Sequence, residues 1–469
     1  MTKSRLVLIG NQARTEFFKR VADYVDHKHV RISWIVVNAD QRDELLKSYP
    51  AEDVLYLPLS TPLKSDSEDL KINDLLFCDR RLKYIKETGR TYLRAIQAPI
   101  KEFLNDEIPT LLVGELTYSY ELVAYRLTQK VLPHCRWVSI FHTRTPPNHF
   151  AFYEDESFSR EVWPVPNDIP KLEECGQDNG SYSYQELNRN ISRHFNSRDF
   201  VFGKIVRFLS KDGFDAEDPT LKSNGRWEKL RKNVPFFLNR ITYKWIRKCS
   251  IEEIRSTRGR TVIYPLHLQP EANIDTCGRY WDNQAETILK IWRQLGPEDT
   301  LFIKEHPVAI GNRGMLWYRR LLNYPNIKLL HHQCAPSQII REVDYVFTVA
   351  GTMGMEAALA GGRVLCLAPT SYDRLENVVS PTIADFRRYG TIDDLYNGLR
   401  AEKRDGWSLD RYRQHMQRYA YPGDGAGDLN ANPESWLPSN LQRVAWGLSH
   451  VLSQLHVPDE KATECALGT

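Results

Sequence analysis

The sequence predicts an α/β protein of two domains, each built on an open, mostly parallel sheet. Three observations support this prediction. The chain has 469 residues, which exceeds what one hydrophobic core usually supports. Short apolar runs rich in β-branched residues alternate with stretches of helical spacing, first in residues 4–144 and again in residues 261–369. No internal repeat of short period accompanies the alternation, so successive βα units in two sheets are expected.

The first domain is predicted at residues 1–155. Its apolar runs predict strands at 4–10, 31–38, 53–58, 109–115 and 137–144. Helical spacing follows the first run and recurs at 118–131, and a long polar helical region ends near residue 105. This alternation is typical of an open α/β sheet.

The stretch from 156 to 250 breaks the pattern and is predicted to be a helical insertion that also connects the domains. Its last part and the residues that follow, 222–260, are basic and rich in aromatic side chains. Two interpretations remain open for this segment. It is either a solvated helical face or a surface that contacts anionic lipid headgroups or an anionic glycan.

The second domain is predicted at residues 251–405, with a helix at 278–296 between its first two strands. Beyond it, residues 406–469 are predicted to form a loop rich in Gly, Pro, Asp and Asn, an amphipathic helix at 441–456 that packs on either domain, and a disordered tail from about residue 458.

Composition excludes several classes of protein. Hydrophobic residues make up 42% of the chain, and no run approaches the roughly 18 apolar residues of a spanning helix. The short apolar run after the basic N-terminus predicts a first strand rather than a signal peptide. A net charge of +3 argues against nucleic acid as a partner. Eight cysteines without CxxC spacing indicate neither a disulfide framework nor a zinc cluster, which favours a cytoplasmic protein.

A glycine turn at Gly351-Thr352-Met353-Gly354 follows a predicted strand and opens a predicted helix. Glycines let the backbone approach an anion, and the free N–H groups and dipole of a helix N-terminus attract one. The hydroxyl of Thr352 would add a donor. The alternative is a tight turn that needs glycine only for its geometry. Neither a dinucleotide fingerprint nor a Walker loop is present.

Two further strand ends of this domain carry polar side chains. Lys304 and His306 follow the run LFI, with Pro307 ending the strand, and alternation places both on one side and Glu305 on the other. As a cation or a hydrogen-bond donor, His306 would hold a phosphate oxygen, although a structural role is the alternative. At the strand end before it, Gln269-Pro270-Glu271 offers an amide and a carboxylate that would read a base edge or ribose hydroxyls. Ligands bind outside such carboxyl ends, so these groups predict a site for a phosphate-bearing ligand.

These motifs together resemble the capsule polysaccharide synthesis family, which includes bacterial transferases of 3-deoxy-D-manno-oct-2-ulosonic acid (Kdo) that use the CMP-activated sugar. The matching text lies in the second domain: PLHLQPE at 265–271, an aromatic-containing helix at 280–284, FIKEHP at 302–307 and TVAGTMGMEAALAG at 348–361. The resemblance implies a GT-B fold, with two Rossmann-like domains facing across a cleft and the nucleotide on the second. It implies CMP binding for Gln269, Pro270, His306 and Pro307, and a phosphate contact for the glycine turn.

In similar transferases the first domain supplies acceptor contacts and the catalytic carboxylates. The candidates at its strand ends are Glu115 and the acidic run containing Asp155, at 154–156. Glu115 has the alternative role of capping the helix that follows it. Arg144 would pair with a substrate carboxylate, because the guanidinium fork matches that group.

The sequence therefore predicts a cytoplasmic glycosyltransferase of bacterial surface polysaccharide synthesis, in the cytosol or peripheral on the inner face of the membrane. Its donor would be CMP-Kdo or a related CMP-ulosonic acid, and its acceptor a glycan or lipid-linked glycan. No cofactor and no metal are expected, and contacts with capsule assembly proteins are a further expectation. The alternatives are a UDP-sugar-dependent transferase or epimerase and a non-catalytic capsule assembly or export protein that binds glycan.

Overall fold

The computed structural model describes residues 4–11, 13–64, 68–106, 108–167, 216–220, 226–271, 273–427 and 432–455. Much of the predicted insertion and the predicted disordered tail lie outside these residues. The described chain forms two α/β units, each with its own sheet, and the predicted GT-B-like architecture is confirmed.

The first sheet has five parallel strands and an antiparallel edge. The strands are β1 (Ser4–Ile9), β2 (Val30–Val36), β3 (Val54–Tyr56), β4 (Thr110–Val113), β5 (Cys135–Thr143), β6 (His149–Tyr153) and β7 (Glu161–Val162). A late strand, β14 (Tyr421–Pro422), joins them, and the order is β14-β6-β5-β4-β1-β2-β3, with β7 beside β6. Leu6 of β1 lies between Ile32 and Leu111 in register. The five strands predicted for this domain are confirmed.

In the described part of the chain, six helices between residues 13 and 130 lie on the two faces of this sheet. They are α1 (Ala13–Ala22), α2 (Ala39–Leu45), α3 (Ile72–Cys78), α4 (Lys86–Ala95), α5 (Gln97–Phe103) and α6 (Ser119–Lys130). The long polar helical region predicted before residue 105 is thus three short helices. Alternation along β1 sends Val7 and Ile9 into one apolar core and Leu6 and Leu8 into the other.

The second sheet is wholly parallel. Its strands are β8 (Thr261–Pro265), β9 (Thr300–Lys304), β10 (Ile327–Leu330), β11 (Tyr345–Thr348), β12 (Arg363–Cys366) and β13 (Val378–Val379). Their order is β10-β9-β8-β11-β12-β13, so the direction in which strands are added reverses between β8 and β11. Such a switch point leaves a crevice at the carboxyl ends of the strands, where ligands bind.

Nine helices belong to the second unit or its approach. They are α7 (Arg226–Tyr243), α8 (Ile251–Arg255), α9 (Gln284–Trp292), α10 (Met315–Leu322), α11 (Pro336–Glu342), α12 (Thr352–Leu359), α13 (Asp385–Arg388), α14 (Ile392–Glu402) and α15 (Leu409–Tyr419) among the described residues. The helix predicted at 278–296 is divided, because the Asn283 side chain accepts a hydrogen bond from the N–H of Glu286 and so starts α9 afresh.

The C-terminal part of the chain returns to the first unit. Strand β14 pairs with β6, and the last helix, α16 (Pro438–Gln454), packs with Phe17, Phe150 and Tyr421 in one apolar core. The predicted C-terminal helix is therefore confirmed, and it docks on the first unit. The predicted division of the first domain at residue 155 stays a prediction; the first sheet itself continues to β7.

Ion pairs join the two units beside the cleft. Lys83 Nζ lies 3.3 Å from the buried carboxylate of Asp275, and Arg374 lies 2.8 Å from Glu161. None of the helices in the described part of the chain is long and apolar enough to cross a membrane.

Candidate active site

A cavity of about 780 Å³ lies between the carboxyl ends of the two sheets. Its lining from the first unit is Arg80, Glu115, Thr117, Ile140, Phe141, Arg144 and Phe158. The lining from the second unit comes from four strand ends, namely 265–268 with Glu271, Lys304 to Pro307, 332–336, and 351–353 with Glu356. Eight of the predicted site residues therefore meet here: Glu115, Arg144, Glu271, Lys304, His306, Pro307, Gly351 and Thr352.

Helix α12 begins at the cavity with Gly351 as its N-cap. The N–H of Gly351 is used internally, since it donates to the Thr348 hydroxyl at 2.9 Å. The N–H groups that the helix itself leaves without an i−4 acceptor at the cavity are those of Thr352 and Met353. The predicted order of strand, glycine turn and helix is thus confirmed, with the N–H donors one residue later than the first glycine, and phosphate binding there stays a prediction.

The glycines of this turn are explained by close packing. A Cβ atom on Gly351 would lie 2.7 Å from the Thr348 hydroxyl oxygen and 3.0 Å from the His267 ring. A Cβ atom on Gly354 would lie 2.4 Å from the Thr348 methyl group. Both glycines have negative φ, so space and not left-handed backbone requires them. Gly354 packs behind the turn and is not among the residues that line the described cavity.

Lys304 ends β9 with only 7% of its surface exposed. Burial lowers the pKa of its ammonium, which the neighbouring carboxylates of Glu305 and Glu356 partly offset. Glu305 is fully buried and is held by Arg313 at 2.7 Å and by the Tyr318 hydroxyl. Lys304 is thus a cation at the cavity wall, whereas the Glu305 carboxylate is paired with Arg313 and Tyr318 in the protein interior.

His306 caps the short 3₁₀ turn Pro307–Ala309, and its Nδ1 accepts a hydrogen bond from the N–H of Val308 at 3.3 Å. Burial, and then the positive charges of Lys304 and Arg313, lower the pKa of His306 to about 4. The ring is therefore neutral at pH 7 with its proton on Nε2. Of the two predicted roles, the hydrogen-bond donor is the one this geometry supports, and the cation is not.

His267 is a cavity residue that the sequence reasoning missed. Its Nε2 accepts from the N–H of Val349 at 3.3 Å, and its backbone is clamped at both polar atoms by the amide of Gln284, at 2.7 and 3.0 Å. Burial lowers its pKa to about 3, with His306 and Arg313 contributing. The available signal was its place in PLHLQPE directly after β8, where a polar side chain emerges at the carboxyl edge of the sheet.

Gln269 supports this clamp. Its amide nitrogen donates to the Asp282 carbonyl at 2.9 Å, and its amide oxygen accepts from Gln284 at 2.8 Å. Both ends of the side chain are therefore occupied, and neither Gln269 nor the exposed Pro270 is among the residues that line the cavity. Contact of Gln269 and Pro270 with a ligand stays a prediction; the structure shows Gln269 bonded to Gln284, which in turn bonds to the backbone of His267.

Glu271 faces an arginine from the opposite unit. Burial raises the pKa of the Glu271 carboxyl, and the charge of Arg80 opposes that rise. Arg80 lies over the Tyr118 ring at 5.3 Å, and its Nε is buried without a hydrogen-bond partner in the described part of the chain. No local pattern marks Arg80, which falls in a stretch predicted only as polar helix.

Glu115 follows β4 and is held in place by an ion pair with Arg14 and by the Asn11 amide at 3.1 Å. The alternative role of helix cap belongs to Glu121, whose carboxylate accepts from the N–H groups of Thr117 at 2.6 Å and Tyr118 at 3.0 Å. Glu115 is thus oriented by its own partners at the cavity wall.

Arg144 and Glu356 approach each other across the cleft. Burial raises the pKa of the Glu356 carboxyl, while the charges of Arg144 and Lys304 act against that rise. Glu356 lies in the second turn of α12 and was not predicted. The surrounding residues, MEAALAG, are otherwise apolar or small and predict a buried helix, so the sequence did not single out Glu356.

The Asp155 carboxylate forms hydrogen bonds within its own loop. Its carboxylate accepts hydrogen bonds from the hydroxyls of Ser157 at 2.5 Å and Ser159 at 2.8 Å and from the N–H of Arg160 at 2.9 Å. Burial tends to raise its pKa, but these hydrogen bonds outweigh burial and hold the pKa below its usual range. Asp155 does not line the cavity among the described residues, so its predicted catalytic role is not supported by its position.

Metal-ligating side chains are not grouped in the described ranges. No set of three or more His, Cys, Asp or Glu residues there is placed to hold a metal ion.

Comparison with known families bears on the second unit. Residues 226–375 match the model of a family described as "Capsule polysaccharide biosynthesis protein". The predicted resemblance is confirmed for this segment. The matched segment, residues 226–375, contains the three strand ends that the sequence singled out, at 269–271, 304–307 and 351–354. The glycine turn, His267 and Gln284 therefore lie within it.

Several solved structures are similar over most of their length at low identity. A KpsC β-Kdo 2,7-transferase of Thermosulfurimonas dismutans has 12% identity and a TM-score of 0.39, covering 96% of this chain and 99% of that one. The KpsC β-Kdo 2,4-transferase of the same organism has 13% identity and a TM-score of 0.27, covering 73% and 87%. A UDP-GlcNAc 2-epimerase of Neisseria meningitidis has 12% identity and a TM-score of 0.23, covering 88% and 98%. No curated protein sequence matches the chain significantly.

Proposed function

We propose that this protein is a glycosyltransferase of bacterial capsule or surface polysaccharide synthesis, which transfers Kdo or a related ulosonic acid from a CMP donor to a glycan or lipid-linked acceptor. One observation carries the proposal. One cavity is lined by the glycine turn and Lys304, from the segment 226–375 that matches the family model, and by Glu115, Arg80 and Arg144 of the first unit. Its volume, about 780 Å³, suits a nucleotide sugar.

The donor phosphate would bind at the start of α12. The N–H groups of Thr352 and Met353, the ammonium of Lys304 and the Nε2–H of His306 all belong to residues that line this cavity. During transfer the bond between the anomeric carbon and the phosphate oxygen breaks, and its electron pair leaves with that oxygen. The phosphate of CMP then carries one more negative charge. These donors are placed to stabilise it as it forms, and the proposal assigns no metal to this step.

Arginine side chains of the first unit would bind the sugar carboxylate of the donor. A CMP-ulosonic acid carries a carboxylate on the anomeric carbon in addition to its phosphate, so its site needs a second cationic group. Arg144 and Arg80 reach the cavity from the first unit, opposite the glycine turn. A guanidinium matches a carboxylate in two parallel hydrogen bonds, and we assign Arg144 this contact.

Glu115 would carry the catalytic carboxylate. Arg14 and Asn11 fix its orientation before substrate arrives, which is the preorganisation a nucleophile or general base requires. If the reaction retains configuration, Glu115 would form the covalent intermediate, and an acceptor hydroxyl would later displace it. Glu271, at the end nearer Arg80, would bind ribose or acceptor hydroxyls.

The test is calorimetric titration of the protein with CMP, CDP, UMP and UDP, followed by the same titrations of His306→Ala. His29→Ala is the matched control, because His29 is exposed on the first unit, pairs only with Asp26 among the described side chains and does not line the cavity among the described residues. Binding of CMP that is lost only in His306→Ala supports the proposal. Preference for UDP indicates a UDP-sugar transferase or epimerase instead, and the absence of any nucleotide binding indicates a non-catalytic assembly protein.

Localisation and partners follow from the same proposal. A protein that uses a CMP-sugar donor would work in the cytoplasm and would meet a lipid-linked acceptor at the inner face of the membrane. Fractionation of cells that express the tagged protein, with and without high salt, distinguishes a cytosolic protein from a peripheral one.

A further inference from the structure

Helix α7 has apolar side chains on two opposite faces. Its inner face packs on the second unit: Tyr243 is 3% exposed, its ring lies 5.5 Å from that of Tyr318, and Asn239 donates to the Gly311 carbonyl at 3.1 Å. The apolar side chains of a helix normally face other parts of the protein. On the outer face of α7 they are exposed in the described part of the chain.

Four large apolar side chains form that outer face. Val234, Leu238 and Ile241 on α7 and Trp245 in the turn after it are 49%, 57%, 51% and 74% exposed. Their spacing of four, three and four residues places the three helical positions on one side of the helix, and Trp245 continues the series. A contiguous exposed apolar stripe of this kind marks an interaction surface.

The charge around the stripe indicates the partner. Residues 226–248 contain eight Lys and Arg residues and one Glu, whereas the whole chain carries only +3. Lys244 and Arg247 are exposed next to Trp245, and the Arg247 side chain is 87% exposed. An apolar stripe bordered by cations, with a tryptophan near its end, fits the headgroup region of a bilayer that contains anionic lipid.

We infer that the outer face of α7, defined by Val234, Leu238, Ile241 and Trp245, docks this protein on an anionic lipid surface. The inference goes beyond the proposed function, because the docking face lies outside the cleft and its binding needs no nucleotide. The same helix touches the cavity wall, since the Tyr243 ring lies 5.9 Å from that of His332. Docking through α7 would therefore hold the cleft close to the lipid surface.

The test is flotation of the full chain with vesicles of phosphatidylcholine alone and with vesicles that also contain about 30% phosphatidylglycerol. We expect binding only to the anionic vesicles, weakened by salt because the flanking cations are exposed. Leu238→Asn, Trp245→Ala and Lys244→Glu should each lower the vesicle affinity by about tenfold. Ile383→Asn is the matched control, since Ile383 is 55% exposed elsewhere on the second unit, and it should bind as the unchanged protein does.

Three results would overturn the inference. One is failure of the unchanged protein to bind the anionic vesicles. Another is a dimer, seen by sedimentation without vesicles, that Leu238→Asn dissociates, which would make the face a contact between two copies. The last is a large loss of thermal stability in Leu238→Asn, measured in the absence of vesicles, together with no binding of that variant to vesicles. This result would show that another part of the chain packs on the face. Nucleotide titrations of the same samples report on the proposed function separately.

Discussion

The Nδ1 atom of His306 accepts a hydrogen bond from the backbone N–H of Val308 at 3.3 Å. This bond assigns the ring proton to Nε2 and makes the imidazole a neutral donor at the cavity, because burial and two nearby cations keep its pKa at about 4. The contribution of His306 to anion binding therefore depends on one N–H group and not on a charge.

A side chain that keeps such a donor should keep part of the affinity. We expect His306→Gln to retain measurable CMP binding and His306→Phe to lose about tenfold or more, since a hydrogen bond to a charged group contributes roughly 1.5–3 kcal/mol. Calorimetric dissociation constants check this. Equal losses in both variants would show that the shape of the ring, and not its N–H, matters.

Replacing Lys304 should affect binding and stability in different directions. Lys304→Met removes a charge whose burial lowers its own pKa, so the free energy of unfolding should stay unchanged or rise. CMP affinity should fall by about ten- to hundredfold, because a charge-assisted contact is lost. Titration calorimetry and thermal melts measure the two effects. Lys328→Met on β10 is the control and should leave affinity unchanged; a parallel fall in both quantities for Lys304→Met would contradict the assignment.

Gly351 should not tolerate a methyl group. Its Cβ would press on the Thr348 hydroxyl at 2.7 Å and on the His267 ring at 3.0 Å, so Gly351→Ala should cost about 1–3 kcal/mol of stability and weaken CMP binding. Gly390→Ala is the matched control, since a Cβ there meets nothing within 4 Å. Thermal melts of the two variants should differ clearly, and equal melting temperatures would mean that the turn relaxes freely.

Acid should destabilise the protein through His267. Its pKa is about 3 in the folded chain against 6.5 when unperturbed, so below pH 6.5 the unfolded state binds more protons than the folded state. The stability from its neutral form is complete above pH 6.5 and is lost as pH falls toward 3. At pH 4.5 this loss is about 2–3 kcal/mol, at roughly 1.4 kcal/mol for each pH unit.

His267→Gln keeps an acceptor for the Val349 N–H and cannot titrate in this range. We expect its melting temperature to fall less steeply than that of the unchanged protein between pH 6.5 and 4.5. His306 and His332, whose pKa values burial lowers to about 4, titrate in both proteins and cancel in the comparison. Identical slopes would show that His267 does not titrate on unfolding.

Substitutions of the two predicted catalytic carboxylates of the first unit should have different effects on turnover and on stability. Glu115→Gln should lower the turnover of a CMP-ulosonic acid donor by about 10²–10⁴ and leave CMP affinity unchanged, because it acts on the reacting sugar. Asp155→Asn should lower thermal stability by about 1–3 kcal/mol through its loop and change turnover little. Release of CMP from the donor measures turnover. The reverse pattern would return the catalytic role to Asp155.

Local sequence was sufficient for the strands and for the polar groups at their ends. Continuous apolar runs predict parallel strands that are buried on both faces, and the residues after such a run emerge at the carboxyl edge of the sheet, which is why Glu115, Lys304, His306 and Gly351 all reach the cavity. These predictions needed no knowledge of how the sheets are arranged.

Contacts between distant parts of the chain were decided by the tertiary structure. Arg80 meets Glu271 only because the two units face each other, and Arg14 reaches Glu115 across a hundred positions because β1 and β4 are neighbours. Such pairs leave no local pattern to read.

By itself, then, the sequence determined the two-sheet fold and the chemistry available at the strand ends, since side-chain period and turn residues are local properties of the chain. Tertiary structure decided which of those groups are offered to a ligand. Gln269 and Asp155 are turned to structural hydrogen bonds, His306 is kept neutral by burial, and Glu356 is brought from a helix that reads as core to the cavity. Burial and hydrogen-bond partners set the role of a polar side chain, and both depend on residues far away in the sequence.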